Sequence, residues 1–135
     1  MNIYLASSIR GSPSNRELIQ LLIAIIEKEN IGKIINKNAY FSTSLTDGFI
    51  YNRDIQWIKE SDIILAEVST PSLGVGYEIC YSEYLKKKVI CIYQEKTNLS
   101  AMIKGNPNLI KIPYLKITNA DSQIFSILKE KIKSV

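Results

Sequence analysis

The chain has 135 residues, 46% hydrophobic and 22% charged, with a formal net charge of +4 and no histidine. That length suits one domain, residues 1–135, able to bury roughly two thirds of the surface its unfolded form would expose, without a disulfide or metal staple. The lack of histidine excludes Ser-His and Cys-His nucleophiles and leaves metal binding to scattered carboxylates, so acid and base work falls to Asp, Glu or Tyr. The positive charge comes mainly from dispersed lysines and reads as a solvated surface rather than a nucleic-acid footprint. Cys80 and Cys91 lie inside apolar runs without the spaced partners of a zinc site, and both read as buried thiols in a reducing compartment. The start "MNIYLASSI" lacks a basic region followed by a long apolar core. No later segment approaches the roughly 20 apolar residues of a membrane span, so a cytoplasmic protein is expected.

In chain order, Ile3 to Ala6 is a short apolar strand and Ser7 to Asn15 a polar loop. "SNRE", Ser14 to Glu17, matches a capping box ahead of the apolar periodicity of Leu18, Leu21, Leu22, Ile25 and Ile26, which predicts a helix that Gly32 can stop. "KII" forms a second strand, and "NKNAYFSTSLTDG" reads as a mobile loop. Phe49 to Glu60 suits a helix with Ile50, Ile55, Trp57 and Ile58 on its apolar side and Asp54 within it. "DIILAEV" is a continuous apolar run of the kind found in a central parallel strand buried on both faces. Ser69 to Gly76 reads as a loop, followed by a helix from about Tyr77 to Leu85 and a strand at "KVICIY". A loop around "NLSAMIKGNPN", a last strand within "LIKIPYLKI" and an amphipathic helix from Ala120 to Lys133 complete the pattern. Alternating strands and helices predict an α/β, doubly wound, mainly parallel five-stranded sheet with helices on both faces. Ligands in such folds bind outside the carboxyl ends of the strands, where strand order reverses.

Two constellations carry candidate chemistry. Asp54 and Glu78, on separate elements, can act as acid and nucleophile at a glycosidic carbon if held about 5 to 5.5 Å apart. Taken alone, each reads first as an ordinary structural residue, Asp54 as a surface helix residue and Glu78 as a first-turn acid favoured by the helix dipole. The serine- and glycine-rich set "SSIRG", "STPSLGVG" and "SAMIKG" can hold a phosphate at helix N-termini, or can be ordinary caps. Tyr4 can hydrogen-bond a carboxylate across the sheet edge, or be a core residue. Glu67, ending the central strand, can cap nearby backbone or pair with Arg10 or Arg53.

Taken together, "IYLASSIRG", "RDIQWIKESDIILAEVSTPSLGVGYE" and "LSAMIKG" resemble the 2'-deoxynucleoside 5'-phosphate N-hydrolases, relatives of the nucleoside 2-deoxyribosyltransferases, in order along nearly the whole chain. The resemblance implies a flavodoxin-like (Rossmann-like) fold, a homodimer, and hydrolysis of a deoxynucleoside monophosphate to free base and 2-deoxyribose 5-phosphate. It needs no cofactor or metal, and implies neither a nucleic-acid polymer nor a membrane as partner. By position, Glu78 resembles the family nucleophile, Asp54 the carboxyl group that assists departure of the base, and Tyr4 the hydroxyl that positions the nucleophile. Ser8, Ile9, Arg10, Gly11, Ser72, Gly74 and Gly76 would bind substrate, with Ser100 and Met102 at the neighbouring subunit's edge. The segment Asn36 to Gly48 is shorter than in those hydrolases, and Asn38 stands where some relatives carry a histidine near the base. The alternatives are a deoxyribosyltransferase, which passes the same intermediate to a second base, and a nucleotide-binding module without turnover.

Overall fold

The computed structural model describes residues 1–8, 13–40, 44–117 and 122–134, and the side chains of all of these except 13–15, 40 and 122. Five strands, β1 (Asn2–Ala6), β2 (Lys33–Ile34), β3 (Ile63–Glu67), β4 (Lys88–Gln94) and β5 (Ile110–Tyr114), form a sheet in the order β2-β1-β3-β4-β5. Every pairing is parallel, so the expected mainly parallel sheet is wholly so. The connections are α1 (Pro13–Lys28), α2 (Asp47–Glu60), α3 (Leu73–Tyr84) and the one-turn α4 (Ala101–Lys104), with α5 (Ser122–Lys133) at the end. This is the flavodoxin-like order, and it reverses between β1 and β3.

Strand alternation divides the core between the two faces of the sheet. Ile3, Leu5, Ile63, Leu65, Ile90 and Ile92 pack with Leu22 and Ile26 of α1 and with Phe125 and Leu128 of α5. Tyr4, Ala6, Ile64, Ala66, Val89 and Cys91 pack on the other side with Ile58 of α2 and with Val75 and Ile79 of α3. Burial on both faces explains the unbroken apolar run of "DIILAEV". No described helix is long and apolar enough to cross a membrane.

Several local expectations are corrected. The α1 helix ends not at Gly32 but at Lys28, and Asn30, with a φ of 52°, supplies the left-handed cap while Ile31 N–H donates to Ile26 O at 3.0 Å. Gly32 serves a close approach instead: a Cβ there would meet Ile3 Cδ1 at 2.5 Å. The "NKNAYFSTSLTDG" stretch holds a 3-10 turn, Lys37–Tyr40, and α2 starts two residues early because Thr46 caps it, its hydroxyl accepting from Phe49 N–H. Residues 41–43 of that stretch, like the Ser14 side chain of the expected capping box, lie outside what is described. Asn36 is buried, and its amide pairs with both backbone groups of Leu5: Leu5 N–H donates to Oδ1 at 2.9 Å and Nδ2 donates to Leu5 O at 2.8 Å. Cys91 is buried as expected, but Cys80 is exposed.

The largest correction concerns "STPSLGVGYE". The helix α3 begins at Leu73, not near Tyr77, with Ser72 as N-cap and its Oγ accepting from Val75 N–H at 3.3 Å. Gly74 and Gly76 lie inside the first turn without positive φ. Their low helix propensity hides a helix start that the serine cap enforces.

Candidate active site

The carboxyl ends of β1 and β3 lie side by side, Ala6 opposite Ala66. Alternation along β1 turns Tyr4 toward α2 and α3, where it is 2% exposed. Glu78 sits in the second turn of α3, next to the core residue Ile79, and its carboxyl accepts a hydrogen bond from the Tyr4 hydroxyl. Asp54 comes from α2, one turn before the fully buried Ile58 and therefore on the inward face of its helix.

The three groups interact. Burial pushes the Glu78 carboxyl from its ordinary 4.5 up to about 7, the Asp54 carboxylate adds to the rise, and the Tyr4 hydrogen bond opposes it. Asp54 is itself paired with Arg53, whose Nε donates to Oδ1 at 2.9 Å. The Arg53 guanidinium lies over the Trp57 ring, 4.7 Å from its centroid. Tyr51, one turn before Asp54, and Tyr77, beside Glu78, meet edge-on at 6.3 Å between centroids and bridge α2 to α3.

A cavity of about 600 Å³ runs along the other side of α3, lined among others by Ser72, Gly76, Cys80, Ser100, Met102 and Ile103. Glu78, two residues on from the cavity-lining Gly76, lies roughly 160° round the helix from it, given about 100° per residue. Ser100 caps α4, its Oγ accepting from Met102 N–H at 3.3 Å. A Cβ on Gly76 would meet nothing within 4 Å, and one on Gly74 only Ser72 Oγ at 3.9 Å. Each glycine costs a helix interior roughly 1 kcal/mol relative to alanine. No neighbour within the fold demands that cost, and the open space beside the Ser72 cap is what it leaves.

The structure thus brings Tyr4, Asp54 and Glu78 together, and groups Ser72, Gly74 and Gly76 with Ser100 and Met102 at the start of α3. Ser8 follows β1 at the same sheet edge, half-buried. Ile9, Arg10 and Gly11 lie outside the described residues. Arg53 as the partner of Asp54, and the Tyr51–Tyr77 pair, were not anticipated. The spacing of Arg53 and Trp57 on one helix, four residues apart, carried the available signal for the first. Nothing local links Tyr51 to Tyr77.

The sequence profile described as nucleoside 2-deoxyribosyltransferase matches residues 3–125. The chain belongs to that family. It is 36% identical over 116 residues to the 5-hydroxymethyl-dUMP N-hydrolase of Tetraodon nigroviridis, covering 80% of this chain and 82% of that one. It is 31% identical over 148 aligned positions to the 5-hydroxymethyl-dUMP N-hydrolase of Esox lucius, covering 100% of this chain and 98% of the other. Among solved structures it matches the CMP N-glycosidase BcmB of Clostridium botulinum with a TM-score of 0.70 at 23% identity, covering 99% and 96% of the two chains. At that identity the structural likeness speaks for the fold.

Proposed function

We propose that this protein is an N-glycosidase that hydrolyses 2'-deoxynucleoside 5'-monophosphates to free base and 2-deoxyribose 5-phosphate, through a covalent glycosyl intermediate on Glu78. The observation that carries the reading is the half-buried Glu78 carboxyl, hydrogen-bonded by Tyr4 of β1 and close enough to Asp54 of α2 for the two charges to oppose each other. Names of relatives support hydrolysis of a nucleotide N-glycosidic bond.

Near neutral pH the raised Glu78 carboxyl is about half protonated. Moving that proton to Asp54 frees the nucleophile and arms the acid in one step. The C1'–N bond then breaks, the base leaving with the bonding electron pair and the proton from Asp54, while a Glu78 oxygen bonds to C1'. In the second half Asp54 takes a proton from water, the water oxygen attacks C1', and the glycosyl ester releases Glu78. Lack of a 2'-hydroxyl makes the oxocarbenium-like centre easier to form. Tyr4 holds one Glu78 oxygen so that the other faces the sugar.

The N-terminus of α3, capped by Ser72 and opened by two glycines, suits a 5'-phosphate, with Ser8, Ile9, Arg10 and Gly11 completing the seat. A homodimer is supported by the exposed apolar surface of α3 and α4: Leu73 is 96% exposed, Met102 80% and Tyr84 78%. A helix apolar around most of its circumference is one that an assembly buries. In that assembly Ser100 and Met102 of one subunit reach the phosphate held by the other.

The deciding experiment incubates the protein with deoxynucleoside monophosphates, deoxynucleosides and ribonucleotides, with and without an acceptor base. Release of base and 2-deoxyribose 5-phosphate without acceptor is expected, and folded Glu78→Ala should be inactive. Turnover only with acceptor base would establish the transferase reading, and no turnover of any substrate would leave a binding module.

A further inference from the structure

Glu67 is 2% exposed at the end of β3, yet no cation among the described residues forms an ion pair with it. Arg10, one of the partners expected for it, lies outside the described residues, and a buried carboxyl is costly and persists where it satisfies something. Here Oε1 accepts the backbone N–H of Ser69 at 2.6 Å. The Ser69 hydroxyl in turn accepts Gln94 N–H, at the end of β4, at 2.8 Å and hydrogen-bonds Tyr114, at the end of β5. Val68 N–H donates to Ile92 O at 2.9 Å. The carboxyl ends of three strands are therefore tied to the first two residues of the segment leading to Ser72. Among the described residues the tie is not filled in from behind, since a second cavity of about 570 Å³ opens between α1 and β5 against Glu67, Ser69, Thr70, Gln94 and Tyr114. Ser69 and Thr70 border both cavities, so the segment is a thin wall whose course depends on its hydrogen bonds.

We infer that Glu67 is a positioning residue for recognition of the substrate's 5'-phosphate: by holding the Ser69 amide it fixes the path of Val68 to Ser72 and so the place of the Ser72 cap. Glu67 does not face the Glu78 site, because it belongs to the opposite alternation of β3 from Ile64 and Ala66. It acts on binding rather than on bond cleavage. This role rests on the phosphate reading proposed above.

The test compares kcat/KM for a deoxynucleoside 5'-monophosphate with that for the corresponding deoxynucleoside, in wild type, Glu67→Gln and Glu67→Leu. Glutamine keeps the acceptor and should retain the wild-type ratio within about twofold. Leucine should lower nucleotide efficiency about tenfold through KM, the scale of one weakened charge-assisted hydrogen bond, while the nucleoside value holds. Ser69→Ala leaves the β3 core untouched and should shift the ratio in the same direction. Because Ser69→Ala keeps the backbone amide that Glu67 holds, Glu67→Ala, which removes the acceptor without adding a branched side chain, decides the matter if Glu67→Leu does not fold. Parallel loss on both substrates, or an unchanged ratio in folded variants of a phosphate-preferring wild type, overturns this role alone. A wild type indifferent to the phosphate overturns the functional reading and this role with it.

Discussion

Replacing Glu78 by glutamine should stabilise the protein at alkaline pH while removing its activity. In the folded chain the Glu78 carboxyl holds its proton up to about pH 7, against an ordinary 4.5 when unfolded. The folded state binds the extra proton between those values. Its contribution is therefore fully present below 4.5 and is lost as pH rises through about 7. The rise corresponds to roughly 3 kcal/mol, or about 2 to 3 kcal/mol after allowing for the part of the carboxyl that water reaches. Glutamine copies the neutral form, still accepts from Tyr4, and faces Asp54 without repulsion. At pH 8.5 the variant should melt about 6 to 10 °C above wild type for a chain of this size. Near pH 5 the advantage should shrink below about 1 kcal/mol. Thermal and urea unfolding of both proteins across pH 5 to 8.5 measure this directly, because other carboxyls, Glu67 included, are common to both. A pH-independent difference, or a Gln variant less stable than wild type at pH 8.5, would refute the burial and repulsion assigned to Glu78.

Further expectations concern the same framework. The basic limb of kcat/KM for the free enzyme should fall near pH 7, where the Glu78–Asp54 pair loses the one proton the leaving base needs, and Tyr4→Phe should move it upward, since the lost hydrogen bond favours the carboxylate; a limb that stays in place would separate Tyr4 from Glu78. Asn36→Ala should cost about 2 to 4 kcal/mol in urea unfolding by leaving two buried Leu5 backbone groups unpaired, whereas a loss under 1 kcal/mol would mean water replaces the amide. Co-refolding Glu78→Ala with Ser100→Ala, assayed well below KM, should give activity above the average of the two separate variants. Activity at that average, with subunit exchange confirmed, would place Ser100 within its own chain's site.

The sheet was legible because its strands are buried on both faces, so "IYLA", "DIILAEV" and "KVICIY" stand out as apolar runs between turns. The pairing of Tyr4, Asp54 and Glu78 was not legible from spacing, since three elements separated by up to 74 residues meet only through the parallel crossover. It was reached through the order of motifs along the chain. The start of α3 was misplaced because glycine marks loops in general, whereas here a serine cap and room beside the helix outweigh propensity. Cys80 was misjudged for a related reason: α3 is apolar on nearly all sides, so periodicity cannot say which of them faces the sheet.

The Asn36 side chain has a consequence for how the segment after β2 can vary. With only Lys33 and Ile34 in β2, its amide acts as one more rung of the ladder and satisfies Leu5 without further extended backbone. The main chain is released one residue later into the Lys37–Tyr40 turn. Residues can then be added or removed between that turn and Thr46 without unpairing Leu5 of β1, because Asn36 satisfies both of its backbone groups before them. A segment anchored in this way can change length while Tyr4, one residue before Leu5, keeps its place against Glu78.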